Sequence, residues 1–233
     1  MAKVIRSTLT DQTVEALLAL IEERGLKEND VLPSTSDLAT SLGVSRTTIR
    51  EGIAQLAGQG LFGRRQGRVT VITLPDSKQF EHMLHLRFAI SGHDYEGLQE
   101  FRQVVEVGNA RWAAKNATKK NIAAIQKQLD LMKNASTDDE RHRADQAFHK
   151  EIALASGNDF ATLILDGITP ILFQLRRRAW LGWKKAGRDA HPLVLAHEKI
   201  LEKIITKDQD GAAQAMADHL DQAMEGLKSI KKV

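Results

Sequence analysis

The sequence predicts a mostly α-helical fold in two parts: three helices with a β-hairpin at the N-terminus, then a larger all-helical unit. Three observations carry this prediction. Apolar residues recur at helical spacing through most of the chain, residues 69–73 are all β-branched, and a proline-containing stretch follows directly. We expect a first domain at 1–74, a linker at 75–78 and a second domain at 79–233.

Three short helices open the chain, and a capping residue precedes each. Side-chain oxygens of Ser and Thr accept hydrogen bonds from the free N–H groups of a first helical turn, so these residues predict helix starts. The expected N-caps are Thr10, Ser34 and Ser45. The first helix is expected to end at Gly25 and the third to reach about Gly58. Gly43 leaves a very short turn between the second and third helices, which is typical of a helix-turn-helix.

A basic β-hairpin is expected after the third helix. Leu61 and Phe62 start a strand-like run, 64–68 has the composition of a turn, and 69–73 is β-branched. Between residues 45 and 70, five arginines stand against one glutamate, a net charge of +4, whereas the whole chain carries +3. A local excess of positive charge beside a helix-turn-helix predicts DNA binding.

The start of the third helix is the expected DNA-reading surface. In a helix-turn-helix this end enters the major groove, where arginine can bind the O6 and N7 atoms of guanine. Threonine there can bond a phosphate or a base edge. The expected contact residues are Ser34, Ser45, Arg46, Thr47, Thr48, Arg50, Arg65, Gln66, Gly67 and Arg68.

The N-terminal 75 residues resemble the GntR family of winged-helix regulators. The segments that carry the resemblance are Leu32-Pro33-Ser34, Asp37-Leu38-Ala39, the run from Gly43 to Glu51, and Gln66-Gly67-Arg68. The resemblance implies that Arg46 and Arg50 contact operator DNA and that the wing around Gly67 enters the adjacent minor groove. Ser36 stands where the family usually has an arginine, and Val69 where it often has glycine.

The second domain contains a candidate metal site. Asp145 and His149 lie four residues apart, so their side chains project from one face of a predicted helix. His197 and His219, each on a later helix, are candidate third and fourth ligands. Three imidazoles and a carboxylate suit zinc, nickel, manganese or iron. Most histidines on helices are core or surface residues, and we interpret the other five in that way: His82, His85, His93, His142 and His191.

Residues 79 to 229 resemble the all-helical FCD effector domain of the FadR branch of the GntR family. Many members carry an aspartate, a histidine four residues later, and one histidine on each of two later helices. The matching positions here are Asp145, His149, His197 and His219. The resemblance implies a divalent metal ion, zinc foremost, and a small carboxylate effector such as a sugar acid or hydroxy acid.

Arg102 is the expected contact for that carboxylate. It matches a recurrent arginine of the family, and its planar guanidinium can bind both oxygens of a carboxylate. The alternative is a pair with Glu106, four residues later on the same helix. Other residues with a pocket role left open are Arg176, Arg177 and Arg178, and the tryptophans at 112, 180 and 183.

Composition limits the other function classes. The chain has no cysteine, which excludes disulfides and Cys-ligated zinc. It has no run of about 20 apolar residues and no signal-peptide pattern at its N-terminus, so we expect a cytoplasmic protein that does not enter membranes.

We therefore expect a homodimeric transcriptional regulator, acting as a repressor on an inverted repeat of double-stranded DNA, with an allosteric effector. One alternative is a metal-dependent helical-bundle enzyme. It is disfavoured because the repeated Glu-x-x-His pairs of bundle di-metal enzymes do not occur in the sequence. The other alternative is a non-specific DNA-binding protein, for which a large sensor domain would be superfluous.

Overall fold

The computed structural model describes residues 8–67, 69–75, 77–189 and 191–231, without the side chains of 79, 80 and 229–231. The chain divides into two compact units, Met1–Gln79 and Phe80–Val233. Both units have a hydrophobic core of their own. The predicted fold class, three helices and a hairpin followed by a helical bundle, is confirmed. In the described ranges, no helix is both long enough and apolar enough to span a bilayer.

The elements follow one another in a simple order. The first unit contains α1 (Leu9–Glu23), α2 (Thr35–Leu42), α3 (Arg46–Gly58), β1 (Phe62–Arg65) and β2 (Val69–Ile72). Then come α4 (Lys78–Ile90), α5 (Tyr95–Asn116), α6 (Lys119–Lys133), α7 (Asp138–Ser156), α8 (Asp159–Gly167), α9 (Thr169–Lys185), α10 (His191–Ile205) and α11 (Gln209–Lys231).

The first helix begins earlier than predicted, since Thr8 and not Thr10 is its N-cap. The Thr8 hydroxyl accepts a hydrogen bond from the Asp11 N–H, and the Asp11 carboxylate accepts one from the Thr8 N–H. This reciprocal capping box satisfies two backbone donors, whereas a lone threonine cap satisfies one. Thr10 lies in the first turn, and its hydroxyl donates to Glu51 of α3.

The helix-turn-helix forms as predicted around three local signals. The Ser34 hydroxyl caps α2, and the Ser45 hydroxyl caps α3. Gly43 ends α2 with a φ of 67°, a left-handed conformation that glycine adopts without a steric penalty. Leu38 of α2 and Ile49 of α3 are fully buried in the core of this unit, so the turn fixes how the two helices pack.

The β-hairpin is present, but its turn is narrower than predicted. Strands β1 and β2 pair antiparallel from Phe62 opposite Ile72 to Arg65 opposite Val69. Residues 64 and 65, which we expected in the turn, therefore belong to β1. Gln66 and Gly67 both have positive φ, so these two residues reverse the chain direction. Arg68, a predicted DNA contact, lies outside the described residues.

In the second unit, one break is not predicted by helical periodicity. Apolar residues recur at helical spacing through 158–184, which predicts a single helix kinked at Pro170; the structure instead has α8 and α9 with a break at Ile168. Pro170 lies in the first turn of α9, where its missing N–H has no helical partner to lose. The predicted linker, 75–78, is one residue too long at its C-terminal end, because Lys78 already begins α4.

Helices α9 and α11 approach closely at Gly226. A Cβ atom at this position would lie far inside van der Waals contact of the backbone carbonyl of Ala179. Because backbone cannot move aside as a flexible side chain can, only glycine permits this spacing. The approach brings α9, which carries Arg176, against α11, which carries His219.

We predict that Gly226→Ala lowers the free energy of unfolding by about 1–3 kcal/mol, because the added methyl group overpacks the contact with α9. Gly108→Ala is the matched control. A Cβ atom there meets nothing within 4 Å, so the higher helix propensity of alanine should stabilise α5 by up to about 1 kcal/mol. Urea denaturation of both variants measures the difference. Equal stability of Gly226→Ala and the wild type would contradict the close approach.

Candidate metal centre and DNA interface

The start of α3 presents cations to solvent. Arg46, Thr47 and Arg50 are exposed, and within the described residues neither arginine has an ion-pair partner. The free N–H groups of a helix N-terminus also favour anions. This end of α3 can therefore bind the phosphates or base edges of DNA.

Three predicted contact residues use their hydroxyl groups inside the unit. Thr48 is buried, and its Oγ1 lies 2.9 Å from Oγ of Ser45, which in turn accepts the Thr48 N–H. The Ser34 hydroxyl lies 2.6 Å from the Asp37 carboxylate. These hydroxyls stabilise helix starts, so a contact from them to DNA would have to coexist with those bonds.

The hairpin adds a second basic surface in the same unit. Arg64 and Arg65 of β1 are exposed, as are Gln66 and Gly67 in the turn. A narrow β-ribbon with cationic side chains fits along a DNA groove. Of the predicted wing contacts, Arg65, Gln66 and Gly67 are therefore accessible.

Four predicted ligands of the second unit lie together. One ligand atom from each residue lies within 4.8 Å of the others, a distance that a single metal ion could span after small adjustments. Two come from α7 and one each from α10 and α11. The set is Asp145, His149, His197 and His219. The three imidazoles are almost completely buried, whereas the aspartate is partly exposed.

His197 is oriented by a backbone carbonyl. Its Nδ1 lies 2.6 Å from the oxygen of Leu193, which only accepts hydrogen bonds, so Nδ1 carries a proton. In the neutral ring Nε2 then has a lone pair, which faces Oδ1 of Asp145 at 2.9 Å. Two acceptors that converge in this way suit a cation between them. This donor set therefore fits a metal ion.

Glu106 of α5 contacts the second imidazole of the cluster, that of His149. Its Oε2 is in direct contact with Nδ1 of His149, and Nε2 of His149 is buried without a hydrogen-bond partner. The same Nε2 lies 3.7 Å from Oδ1 of Asp145. Nδ1 of His219 is likewise buried and unpartnered. Buried polar atoms normally have partners, so these free atoms also fit an ion.

Arg102 forms the predicted pair with Glu106 on the same helix, and it also lines a cavity beside the four-residue cluster. Its Nε lies 2.6 Å from Oε1 of Glu106, and one terminal nitrogen donates to Gln99 at 3.2 Å. The other terminal nitrogen is buried without a partner. Gln99 in turn donates to the backbone carbonyl of Leu220 on α11. The two interpretations left open by the sequence are therefore compatible.

Of the three consecutive arginines in α9, only Arg176 is buried at the site, since Arg177 and Arg178 are exposed. Its Nε lies 2.7 Å from Oδ2 of Asp145, and a terminal nitrogen lies 3.9 Å from Oε1 of Glu106. The guanidinium thus compensates two carboxylates on different helices.

These contacts set the ionisation of the buried groups. Burial alone would raise the pKa of Glu106, but the charge of Arg102 and the contact with His149 hold it well below its usual value. The pKa of Asp145 is also held well below its usual value, against the effect of burial, chiefly by Arg176. Burial lowers the pKa of His149 and, more strongly, that of His219, where the neighbouring imidazoles add to the effect.

A cavity of about 70 Å³ opens beside the cluster. Its polar lining residues are Arg102, Arg141, His142, Asp145, Arg176, His197 and His219. Its apolar lining residues are Met132, Ala179, Trp180, Trp183, Leu193, Val194 and Ala223. The cavity can accept a small anionic molecule with an apolar portion. Trp112 is not among the lining residues, and its side chain is half exposed.

Sequence reasoning did not assign Glu106, Arg141 and His142 to the site. His142 precedes Asp145 by three residues and therefore lies on the same face of α7, which was a usable signal. For Glu106 and Arg141 no local pattern was available, because their positions at the site depend on how separate helices pack.

Comparison with known families agrees with the division of the chain into two units. Residues 9–72 match the family model for bacterial regulatory proteins of the gntR family, and residues 97–222 match the model for the FCD domain. Each match lies within one of the two compact units.

Curated relatives are similar along most of the chain. The HTH-type transcriptional regulator LutR of Bacillus subtilis is 30% identical over 86% of this chain and 93% of its own length. A protein of Escherichia coli assigned to regulation of the L-lactate dehydrogenase operon is 29% identical over 93% of this chain and 85% of its own length.

A solved structure, that of a Streptococcus agalactiae GntR protein, has a similar fold. It superposes with a TM-score of 0.69 at 26% identity, covering 91% of this chain and 97% of its own.

We predict that the metal-free protein loses stability as the pH falls from about 7.5 to 5. His149 and His219 have lowered pKa values in the folded chain, so between those values and about 6.5 the unfolded chain binds more protons. The free energy of unfolding should then fall by up to about 1.4 kcal/mol per pH unit for each imidazole. The carboxylates contribute only at lower pH, since their pKa values are lowered.

Urea denaturation in the presence of EDTA measures this slope. His219→Gln should reduce this pH dependence of the free energy of unfolding by the contribution of one imidazole. The matched control is His82→Gln, since His82 is exposed. A stability that does not change over this pH range would contradict the buried, neutral state of the imidazoles.

Proposed function

The chain belongs to the GntR family of bacterial regulatory proteins and carries an FCD domain, and on this premise we propose how its activity is controlled. The chain is a DNA-binding transcriptional regulator and not an enzyme. We propose a repressor whose affinity for operator DNA is lowered by a small 2-hydroxy carboxylate bound at a divalent metal ion. The observation that carries the proposal is the buried His/Asp cluster beside a cavity lined by Arg102, whose guanidinium has one buried nitrogen without a partner.

For DNA, the proposed reading element is the start of α3. Arg46 and Arg50 are exposed and free of ion pairs among the described residues, so they can pair with guanine or phosphate without first losing a protein contact. The wing, with Arg65 and Gly67 accessible, is proposed to lie in the adjacent minor groove. As helix-turn-helix proteins usually match the symmetry of their sites, we propose a homodimer on an inverted repeat.

For the metal, the proposed ligands are the four residues of the cluster, with zinc as the ion. Bound there, the ion would act as a Lewis acid that holds a carboxylate and a neighbouring hydroxyl group. The chain itself orients the imidazoles, since Nδ1 of His197 contacts the Leu193 carbonyl and Nδ1 of His149 contacts Glu106. In the neutral form of each ring the lone pair on Nε2 faces the cluster, and a neutral ligand need not lose a proton when the ion binds.

Charge balance favours an anionic effector. The cations Arg102 and Arg176 balance the carboxylates of Glu106 and Asp145, so the buried cluster is neutral without an ion. A divalent ion adds two positive charges in a region largely shielded from water, which is costly unless an anion follows. A carboxylate placed between the ion and the free nitrogen of Arg102 would reduce this cost.

The size of the cavity favours a short acid. One water molecule needs about 10–15 Å³ by this measure, so about 70 Å³ holds roughly five to seven atoms other than hydrogen. A 2-hydroxy acid of two or three carbons fits this size, whereas a six-carbon sugar acid is too large. One relative is named for the operon of L-lactate dehydrogenase, and L-lactate is such an acid.

We predict that Arg46→Ala weakens binding to the preferred DNA sequence by about 1–3 kcal/mol and reduces discrimination at one base pair, because a bidentate contact to guanine is lost. Fluorescence anisotropy with duplexes selected by the wild-type protein from a random library measures the effect. Lys120→Ala removes the same charge from an exposed site in the second unit and should leave affinity unchanged. Equal losses in both variants would contradict base reading by α3.

We also predict that L-lactate or glycolate binds the zinc-loaded protein at least tenfold more tightly than the EDTA-treated protein, because ion and guanidinium bind the acid together. Calorimetric titration measures this. Two controls are propionate, which lacks the hydroxyl group, and gluconate, which is too large for the cavity.

A bound acid should lower DNA affinity, typically by about 1–3 kcal/mol, and DNA should weaken acid binding by the same factor. Equal acid affinity with and without DNA would contradict the allosteric part of the proposal.

A further inference from the structure

Glu106 is a fully buried carboxylate with a different partner on each oxygen. Its neighbours are an imidazole from α7 and guanidinium groups from α5 and α9. We propose that Glu106 is the positioning residue of the metal centre: it fixes the tautomer and orientation of His149 and, through its other oxygen, the orientation of Arg102. This inference rests on the proposed function, because it concerns how the chain prepares that site.

The first step concerns the proton on His149. Oε2 of Glu106 contacts Nδ1 of His149, and an ionised carboxylate can only accept a hydrogen bond. The proton of the neutral ring is therefore held on Nδ1, and the lone pair on Nε2 faces the cluster. Without this contact both tautomers would be available, and the form with a proton on Nε2 cannot bind an ion through that atom.

The second step concerns the other oxygen. Oε1 of Glu106 accepts from Nε of Arg102 at 2.6 Å, and the Arg102 side chain is 1% exposed. This contact leaves the unpartnered terminal nitrogen of Arg102 free for a ligand. Two donors thus need two acceptor oxygens at fixed positions. A glutamine has the same shape but only one acceptor oxygen, so it cannot satisfy both His149 and Arg102.

The third step is that Glu106 does not coordinate the ion itself. Both of its oxygens already have partners, and it does not belong to the four residues whose ligand atoms converge. Its effect on the ion must therefore pass through His149. Carboxylates that orient a metal-binding histidine in this way typically contribute a factor of about 10–100 to metal affinity.

The experiment compares Glu106→Gln with Glu100→Gln, which makes the same chemical change at an exposed position of the same helix. Zinc is titrated into the full-length, metal-free proteins by calorimetry with a competing chelator, and circular dichroism checks the fold. We expect about 10–100-fold weaker zinc binding for Glu106→Gln and no change for Glu100→Gln. Wild-type affinity in a folded Glu106→Gln protein would overturn the proposal.

A second readout reports the tautomer directly and requires no metal. Ring ¹⁵N shifts of histidine-labelled protein at pH 8, assigned with a His149→Asn variant, should show the His149 proton on Nδ1 in the wild type. In Glu106→Gln the ring should become a mixture of tautomers. A merely structural role for Glu106 would not move this signal. A proton on Nε2 of His149 in the wild type would overturn the proposal even if Glu106→Gln did not fold.

The two readouts separate this inference from the proposed function. If the wild-type protein does not bind zinc, the metal part of the proposed function is wrong, and the tautomer measurement alone then decides the role of Glu106. If zinc binds, His197→Ala loses it and Glu106→Gln keeps it, the metal centre stands and the positioning role is wrong.

Discussion

The helical unit depends on one constraint, the burial of two carboxylates together with two guanidinium groups. Glu106 and Arg102 belong to α5, Asp145 to α7 and Arg176 to α9, and each is largely withdrawn from water. A charge in such a place is costly unless an opposite charge compensates it closely. Helices α7 and α9 therefore cannot shift apart without separating Asp145 from Arg176, whereas the pair of Glu106 and Arg102 lies within α5. The position of Asp145 in the cluster thus depends on an ion pair within the chain.

The residues of the His/Asp cluster were predictable from the sequence, whereas the buried carboxylate that contacts His149 was not. Helical periodicity places Asp145 and His149 on one face whatever the tertiary structure, and the family resemblance added the two later histidines. Glu106 also has a local interpretation, a pair with Arg102 at i+4, and that pair is present. Its contact with His149 arises only because α5 packs against α7, and spacing along one helix carries no information about such packing.

The differences in the fold have a similar physical origin. Ser34, Gly43 and Ser45 were predicted correctly because caps and turns depend on chemistry within a few residues. The break at Ile168 was missed because apolar residues on both sides of it recur at helical spacing, and a proline such as Pro170 is compatible with either a kink or a helix start. Tertiary packing decides between these outcomes, as it does for the choice of one arginine among three in α9.

The same constraint indicates where an effector can act. The imidazoles of His197 and His149 are held by a carbonyl and a carboxylate of the chain, so ligand binding has little freedom to reorient them. The two guanidinium groups at the cavity differ, because Arg102 extends from α5 and Arg176 from α9, and each has a terminal nitrogen without a partner. An anion between them attracts both cations to one point, and so favours one spacing of these helices over another. Since a ligand shifts an equilibrium only by its differential affinity for the two states, under the proposed function the relative position of α5 and α9 would be the variable through which a carboxylate regulates the protein.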